Sequence, residues 1–295
     1  MARGLILKAL SGYYYVIEEE TKKMYTCRGR GNFRNKKLTP LVGDQVEFQI
    51  EDHDEGYILK LLKRKNSLVR PPVANVDQVL LVFSAKDPDF SQHLLDRFLT
   101  VIEHVGIEPV IIVSKIDLLE EVEYDKLKTL FEYYREIGYT VIEQSAKTKA
   151  NLEHVIDVIN GNISVLAGQS GVGKSSMLNA INPEFNIKTD IISKALNRGK
   201  HTTRHVELLT VYDGLIADTP GFSSLEFLEM EKEDLPGCFI DFARIGESCK
   251  FRGCFHINEP KCEVKNRLGE HDVYDKRYAH YSKFYEELKS QKPKY

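Results

Sequence analysis

The chain has 295 residues, of which 42% are hydrophobic and 29% are charged, and its formal net charge at pH 7 is −3. This composition is typical of a soluble globular protein with two or three domains. No apolar run approaches the roughly 18 residues of a membrane-spanning helix, and the N-terminal residues contain no clear signal peptide. We therefore expect a cytoplasmic protein that has no membrane partner.

Residues 1–70 predict a small five-stranded β-barrel, because five short alternating or apolar runs are separated by Gly, Asn and Asp. They carry 14 Lys and Arg against 9 Asp and Glu, whereas the other residues carry 27 against 35. The basic balance indicates that this end of the chain meets a polyanion. Ordinary scatter of surface charge is the alternative.

The segment "RGRGNFRNKKLTP", residues 28–40, has five basic residues and no acidic one. Its glycines favour a loop. Such a loop can follow a phosphate backbone while Phe33 stacks on a base. A solvated loop without a partner explains the same residues, and the sequence does not decide between the two interpretations.

A central α/β domain is predicted over residues 71–225, after the stiff "RPP" at 70–72. Near-continuous apolar runs such as "VDQVLLVFSA" and "EPVIIVS" are typical of strands buried on both faces of a parallel sheet. Amphipathic helical stretches at 91–105 and 121–137 separate these runs. Strand and helix therefore alternate, as in α/β proteins.

A phosphate-binding loop follows the strand "ISVLAG" and precedes a helix, which is the context that this motif requires. Its glycines let backbone N–H groups wrap phosphates at the positive end of the helix. Lys174 is expected to reach the β- and γ-phosphates, and the Ser175 hydroxyl to bind Mg²⁺. The predicted nucleotide-binding residues of this loop are Gly168, Gln169, Ser170, Gly171, Val172, Gly173, Lys174, Ser175 and Ser176.

Two short motifs at strand ends predict guanine recognition. In "SKID", residues 114–117, the Asp117 carboxylate can accept from the N1–H and N2 amino groups of guanine, which adenine lacks. The predicted base-binding residues are Ser114, Lys115, Asp117, Ser145, Ala146 and Lys147. In "LIADTPGF", Asp218 is expected near the metal and the Gly221 N–H near a γ-phosphate. Each short motif alone is a common strand end or turn.

The order of these motifs indicates a circular permutation, because the base-reading motifs precede the phosphate loop. The pieces resemble the translation-factor-like GTPases, and the whole chain resembles the ribosome small-subunit-dependent GTPase A family, also called RsgA or YjeQ. This resemblance implies an OB-fold barrel, a permuted GTPase domain and a zinc domain. It implies GTP or GDP and Mg²⁺ as ligands, and the 30S subunit and 16S rRNA as partners. Ser114 stands where the family's N-K-x-D motif has Asn, which puts nucleotide affinity in question.

The resemblance also assigns the predicted switch I, "RGKHTTRHVELL" at 198–209. Thr203 would bind Mg²⁺ and sense the γ-phosphate, and His201 would position the attacking water. Phe222 occupies the place of the Ras glutamine and cannot orient water. A histidine can orient or deprotonate water near neutral pH. A phosphate or RNA contact of His201 or His205 is the alternative.

Residues 226–295 are predicted to be mainly helical and to hold one structural zinc ion. The segment "CKFRGCFHINEPKC" offers three thiolates and an imidazole from Cys249, Cys254, His256 and Cys262. After it, five residues step by 4, 3, 4 and 3 along one helix face, and core or partner packing is favoured over RNA stacking. This set is Tyr274, Tyr278, Tyr281, Tyr285 and Leu288.

Together these features predict a GTP hydrolase that binds the 30S subunit and assists its late maturation. Lys174, His201 and Thr203 are the expected catalytic residues. We also expect a monomer that has no DNA partner. The alternatives are an RNA-binding module in which nucleotide only stabilises the fold, and a GTP-dependent switch with a non-ribosomal partner.

Overall fold

The computed structural model describes residues 1–29, 39–69, 71–185, 206–222, 227 and 230–291. The strands are β1 Ala2–Leu10, β2 Tyr13–Glu18, β3 Met24–Gly29, β4 Gln45–Ile50, β5 Glu55–Leu61, β6 Gln78–Ser84, β7 Glu108–Ser114, β8 Thr140–Glu143, β9 Ile163–Ala167, β10 Val206–Val211 and β11 Gly214–Phe222. The α-helices are α1 Gln92–His104, α2 Glu121–Ile137, α3 Leu152–Ile159, α4 Lys174–Ile181, α5 Ile240–Gly246, α6 Glu263–Asn266 and α7 Asp272–Ser290.

The described chain divides into two compact units. The first comprises Met1–Leu80, Leu152–Ser170 and Lys174–Ser223, and the second comprises Leu81–Asn151, Gly171–Gly173 and Ser224–Tyr295. The domain boundaries placed from the sequence at residues 70 and 225 are a separate division and stay predictions.

In the first unit, β1 to β5 form the predicted five-stranded barrel. The strands follow the order β2-β3-β5-β4-β1, and a further pairing of β2 with β1 closes the ring. Ile6, Val16, Val46, Phe48 and Ile58 are fully buried inside it. These positions come from the alternating runs of the sequence, because every second side chain of a strand faces the same side. The predicted barrel is therefore confirmed.

Strand β1 also leaves the barrel and joins the α/β part of the same unit. Its end pairs antiparallel with β10 in the register Lys8↔Glu207 and Ala9↔Val206. The Lys8 ammonium lies 2.8 Å from the Glu207 carboxylate. Strand β10 then pairs with β11, and β11 runs parallel to β9. Strand β10 overlaps the end of the segment that the sequence assigned to switch I, 198–209, so its strand character was missed.

In the second unit, the part of β6 from Leu81 onwards, β7 and β8 follow one another in the sheet and are buried almost throughout. Strand β7 runs parallel to β8 in the register Val113↔Glu143. Helix α1 begins after Ser91, whose side chain accepts a hydrogen bond from the Leu94 N–H. Both amphipathic stretches that the sequence predicted as helices are therefore confirmed as α1 and α2.

A buried ionic cluster holds helix α7 against other helices of the second unit. Arg277 is 1% exposed, and its guanidinium donates to both Asp241 oxygens, at 3.0 and 2.9 Å, and to Asp96. The Tyr133 hydroxyl donates to Asp241 at 2.8 Å, and the Tyr134 hydroxyl donates to Asp96 at 2.6 Å. Burial acts to raise the pKa of Asp241, but the Arg277 guanidinium outweighs it and holds that pKa below its ordinary value.

Candidate nucleotide-binding site and metal cluster

The phosphate loop lies between β9 and α4, as predicted from the sequence. Strand β9 ends at Ala167 and helix α4 begins at Lys174. Gly168, Gly171 and Gly173 have φ angles of 123°, 82° and 92°. Side chains rarely tolerate this left-handed region, so glycine permits the turn that directs backbone N–H groups inward. The segment has the backbone of an anion-binding loop at a helix N-terminus.

The Lys174 ammonium has only neutral carbonyl partners among the described residues. It donates to the Gly168 oxygen at 2.9 Å and to the Gln169 oxygen at 2.6 Å. Burial lowers the pKa of Lys174 from its ordinary 10.5 to about 8, because the charged form loses its hydration. A phosphate beside the ammonium would stabilise its charged form and compensate for the lost hydration. The side chain is therefore suited to an anionic ligand.

The predicted guanine-reading residues come together at the carboxyl ends of β7 and β8. Strand β7 ends at Ser114, and Asp117 lies in the short 3-10 helix Ile116–Leu118. The Ser145 hydroxyl donates to Asp117 Oδ1 at 2.5 Å and accepts from the Thr148 N–H at 3.1 Å. Ser145 thus fixes the orientation of the carboxylate that the sequence assigned to guanine. Lys147 is exposed beside it.

Two side chains of the "SKID" motif bind the backbone of Gly171–Gly173, the part of the phosphate loop in the same unit. The Ser114 hydroxyl lies within hydrogen-bonding distance of the Val172 carbonyl and of the Phe83 carbonyl. A hydroxyl has one proton, so it donates to one of these oxygens at a time. The Lys115 ammonium donates to the Gly171 carbonyl at 2.8 Å. The serine therefore keeps a bond to the loop, although it lacks the amide of asparagine.

The four predicted metal ligands form one cluster. The ligand atoms of Cys249, Cys254, His256 and Cys262 all lie within 4.8 Å of one another. Cys249 Sγ lies 3.9 Å from Cys262 Sγ and 3.7 Å from His256 Nδ1. A tetrahedral zinc site with Zn–S bonds of about 2.3 Å separates its sulfur atoms by about 3.8 Å. The residues therefore fit a structural zinc ion, because four protein ligands leave no open position for a substrate.

The electrostatics of the cluster also favour a cation. Burial raises the pKa of the Cys254 thiol to about 12, so thiolates at neutral pH require a compensating positive charge. The Glu263 N–H lies 3.3 Å from Cys249 Sγ and donates to it. Such bonds orient and stabilise ligating sulfur atoms.

The tyrosine face of α7 supports the metal-binding loop. The Tyr274, Tyr278 and Tyr281 hydroxyls donate at 2.7 Å to the carbonyls of Val264, His256 and Phe255, respectively. The exposed fractions of Tyr274 and Tyr281 are 5% and 0%. This confirms the packing role that the helical spacing favoured.

Comparison with known families supports the same interpretation along the whole chain. The family model described as RsgA GTPase matches residues 61–228, and the model described as RsgA N-terminal domain matches residues 3–58. A Geobacillus kaustophilus protein named small ribosomal subunit biogenesis GTPase RsgA is 55% identical over 295 residues, covering 100% of both chains. A Bacillus cereus protein of the same name is 52% identical with the same coverage. The chain belongs to the RsgA family.

Solved structures of this family have the same fold. The crystal structure of YloQ, described as a circularly permuted GTPase, is 47% identical and has a TM-score of 0.87, covering 100% of this chain and 97% of that one. YjeQ from Thermotoga maritima is 37% identical, with a TM-score of 0.87 and 99% of each chain covered. The predicted permutation, N-terminal barrel and C-terminal helical region are therefore confirmed.

Some residues predicted for the RsgA site are not described by the structure. His201, Thr203 and His205 lie outside the described residues, as do Phe33 and most of the basic loop. Asp218 and Gly221 belong to β11, where Asp218 pairs with Glu207 of β10. The Asp218 side chain is outside the described part, so its role and those of the switch I residues stay predictions.

The sequence interpretation missed two features. Arg277 is fully buried between Asp96 and Asp241, although the helical spacing of α7 only marked the tyrosines. Gln144, directly before the "SAK" motif, is fully buried. Its position in the motif could have drawn attention to it, but no sequence pattern reports whether a buried amide has a partner.

Among the described residues, no helix is long and apolar enough to cross a membrane.

Proposed function

We propose that this protein is a GTP hydrolase that binds the 30S ribosomal subunit through 16S rRNA and assists its late maturation. The observation that carries the proposal is the full-length identity of 52–55% to proteins named small ribosomal subunit biogenesis GTPase. A cytoplasmic, monomeric protein with no membrane or DNA partner is part of the same proposal.

Guanine selection falls to Asp117. Its carboxylate, oriented by Ser145, would accept from the N1–H and N2 amino groups of guanine. Adenine has an acceptor at N1 and no N2 amino group, so it would leave the carboxylate unpaired. The backbone of Ala146 and the side chain of Lys147 would bind the rest of the base. Lys115 would hold the phosphate loop through its hydrogen bond to the Gly171 carbonyl.

The phosphate loop would hold the triphosphate through its N–H groups and Lys174, which is desolvated and has only carbonyl partners among the described residues. Ser175, which is buried at the start of α4, and Thr203 would hold Mg²⁺. The ion, when bound, neutralises charge on the β- and γ-phosphate oxygens. His201 would orient the attacking water, since Phe222 cannot do so.

The cysteine and histidine cluster would hold one structural zinc ion through Cys249, Cys254, His256 and Cys262. Its distances fit tetrahedral coordination, and two tyrosine hydroxyls of α7 donate to carbonyls of the ligand loop. Metal analysis of the purified protein should give about one zinc per chain.

The barrel would supply the rRNA contact through its basic loop. Each phosphate contact that is lost reduces the slope of log affinity against log salt by about 0.7 to 0.9. We would measure 30S binding over a salt series for Lys36→Ala/Lys37→Ala. The matched control is Lys126→Ala/Lys128→Ala, which removes two exposed charges from α2. A reduced slope only in the loop variant supports the proposal, and equal slopes in both variants and the wild type contradict it.

A further inference from the structure

The Gln144 side chain is a buried amide with no visible function in the fold. The residue is 0% exposed, and among the described residues neither its Oε1 nor its Nε2 has a hydrogen-bond partner. A buried polar group without a partner destabilises a protein, and the large majority of such groups are therefore bonded. In the arrangement that the structure describes, the amide forms no hydrogen bond that offsets the cost of its burial.

The backbone of Gln144 connects the two base-reading segments. Its N–H donates to the Val113 carbonyl at 2.8 Å, and its own carbonyl accepts from the Ile116 N–H at 3.5 Å. Val113↔Glu143 is the last register pair of β7 and β8, and Ser114 and Gln144 are the residues that directly follow it. Both side chains are buried at the carboxyl ends of the two neighbouring strands. The residue next along the chain, Ser145, orients Asp117.

This chain therefore carries a side-chain amide after β8, whereas the family motif places one at the end of β7. The "N-K-x-D" pattern has an amide at position 114, where this chain has the shorter Ser114. The chain instead carries an amide at Gln144, directly after the neighbouring strand β8. The Ser114 hydroxyl is already engaged with backbone carbonyls, so it cannot replace both donor and acceptor of an amide.

We propose that Gln144 is a positioning residue for the guanine nucleotide and supplies the amide that position 114 lacks. Its amide gains hydrogen bonds when a nucleotide orders the base-reading segments 114–117 and 144–148, and these bonds favour the bound arrangement. This inference rests on the proposed guanine-nucleotide binding. The inference predicts that removing the Gln144 amide raises the stability of the free protein and lowers its affinity for the nucleotide. The reason is that the amide destabilises the free protein and stabilises the complex.

The test replaces the amide by a side chain of similar size that forms no such bonds. For Gln144→Met we expect a higher melting temperature of the nucleotide-free protein and about tenfold weaker binding of a fluorescent GDP analogue, the loss of about one buried hydrogen bond. The matched control is Gln78→Met, since Gln78 is also buried but its Nε2 donates to Ser164 Oγ at 2.9 Å. This control should lower the melting temperature and leave GDP affinity unchanged.

A second variant tests whether the amide itself is what matters. Adding Ser114→Asn to Gln144→Met should restore much of the GDP affinity, because an amide returns to the end of the neighbouring strand β7. Unchanged affinity in Gln144→Met overturns the inference, and so does a lower melting temperature of that variant, which would mean that the amide already has a partner. Failure of the wild-type protein to bind GDP would instead contradict the proposed function.

Discussion

Nucleotide affinity should depend on pH through Lys174. In the free protein burial lowers the pKa of this ammonium from 10.5 to about 8. The difference of about 2.5 pKa units corresponds to about 3 kcal/mol at 1.36 kcal/mol per unit, which is the binding free energy that deprotonation of Lys174 removes if the nucleotide restores the ordinary pKa. Nucleotide phosphates favour the charged form, so binding should raise the pKa of Lys174 again.

The sign of the effect follows from the two protonation states. Below pH 8 Lys174 is charged in both the free and the bound protein, so affinity should not depend on its titration. Between pH 8 and the higher pKa of the complex, binding must take up a proton. Affinity should therefore fall by up to about tenfold for each pH unit in that interval.

The assay is titration with a fluorescent GDP analogue from pH 7 to pH 9.5, together with calorimetry in buffers of different ionisation enthalpy. Calorimetry should report proton uptake that rises towards one proton per nucleotide above pH 8. The control is Lys174→Arg, which keeps the charge at every pH used. Deprotonation of guanine affects both proteins equally, so the difference between them isolates Lys174. Coincident pH profiles for the two proteins would refute the reasoning.

Three further outcomes are expected. Arg277→Met removes the guanidinium that bonds to Asp96 and to both Asp241 oxygens, so it should lower the free energy of unfolding by about 3–5 kcal/mol in urea titrations at pH 7. The loss should shrink as pH falls and the Asp241 carboxyl becomes protonated, and a pH-independent loss would contradict the ionic explanation. Asp117→Asn should weaken GTP binding by about 100-fold and improve binding of xanthosine triphosphate, whose O2 accepts from an amide; equal losses for both nucleotides in competition titrations would exclude base recognition by Asp117. His201→Ala should lower GTP turnover and leave GTP affinity nearly unchanged, whereas a parallel loss of both would indicate a binding or folding role.

Much of the fold could be predicted because the relevant signals are local in sequence. Strand β7 coincides with the run "EPVIIVS", and α4 begins at the lysine of the phosphate loop. The four metal ligands lie within a short segment, so their spacing alone indicated one site. In each case a contiguous pattern of apolar residues, glycines or ligands determines the local backbone or chemistry.

The features that could not be predicted depend on contacts between distant parts of the chain. Arg277 and Asp96 are 181 positions apart, and Lys8 and Glu207 are 199 positions apart. No periodicity in either segment identifies the partner. Whether the Gln144 amide has a hydrogen-bond partner likewise depends on all the residues packed around it. The sequence alone does not show whether a buried amide is bonded.

GTP turnover with and without purified 30S subunits tests the central proposal most directly. The account predicts slow hydrolysis by the protein alone and clear stimulation by 30S subunits, with no comparable hydrolysis of ATP. The stimulation should weaken as salt rises, because the rRNA contact is electrostatic. Hydrolysis that is unchanged by 30S subunits at low salt would contradict the account and favour a GTP-dependent switch with a different partner.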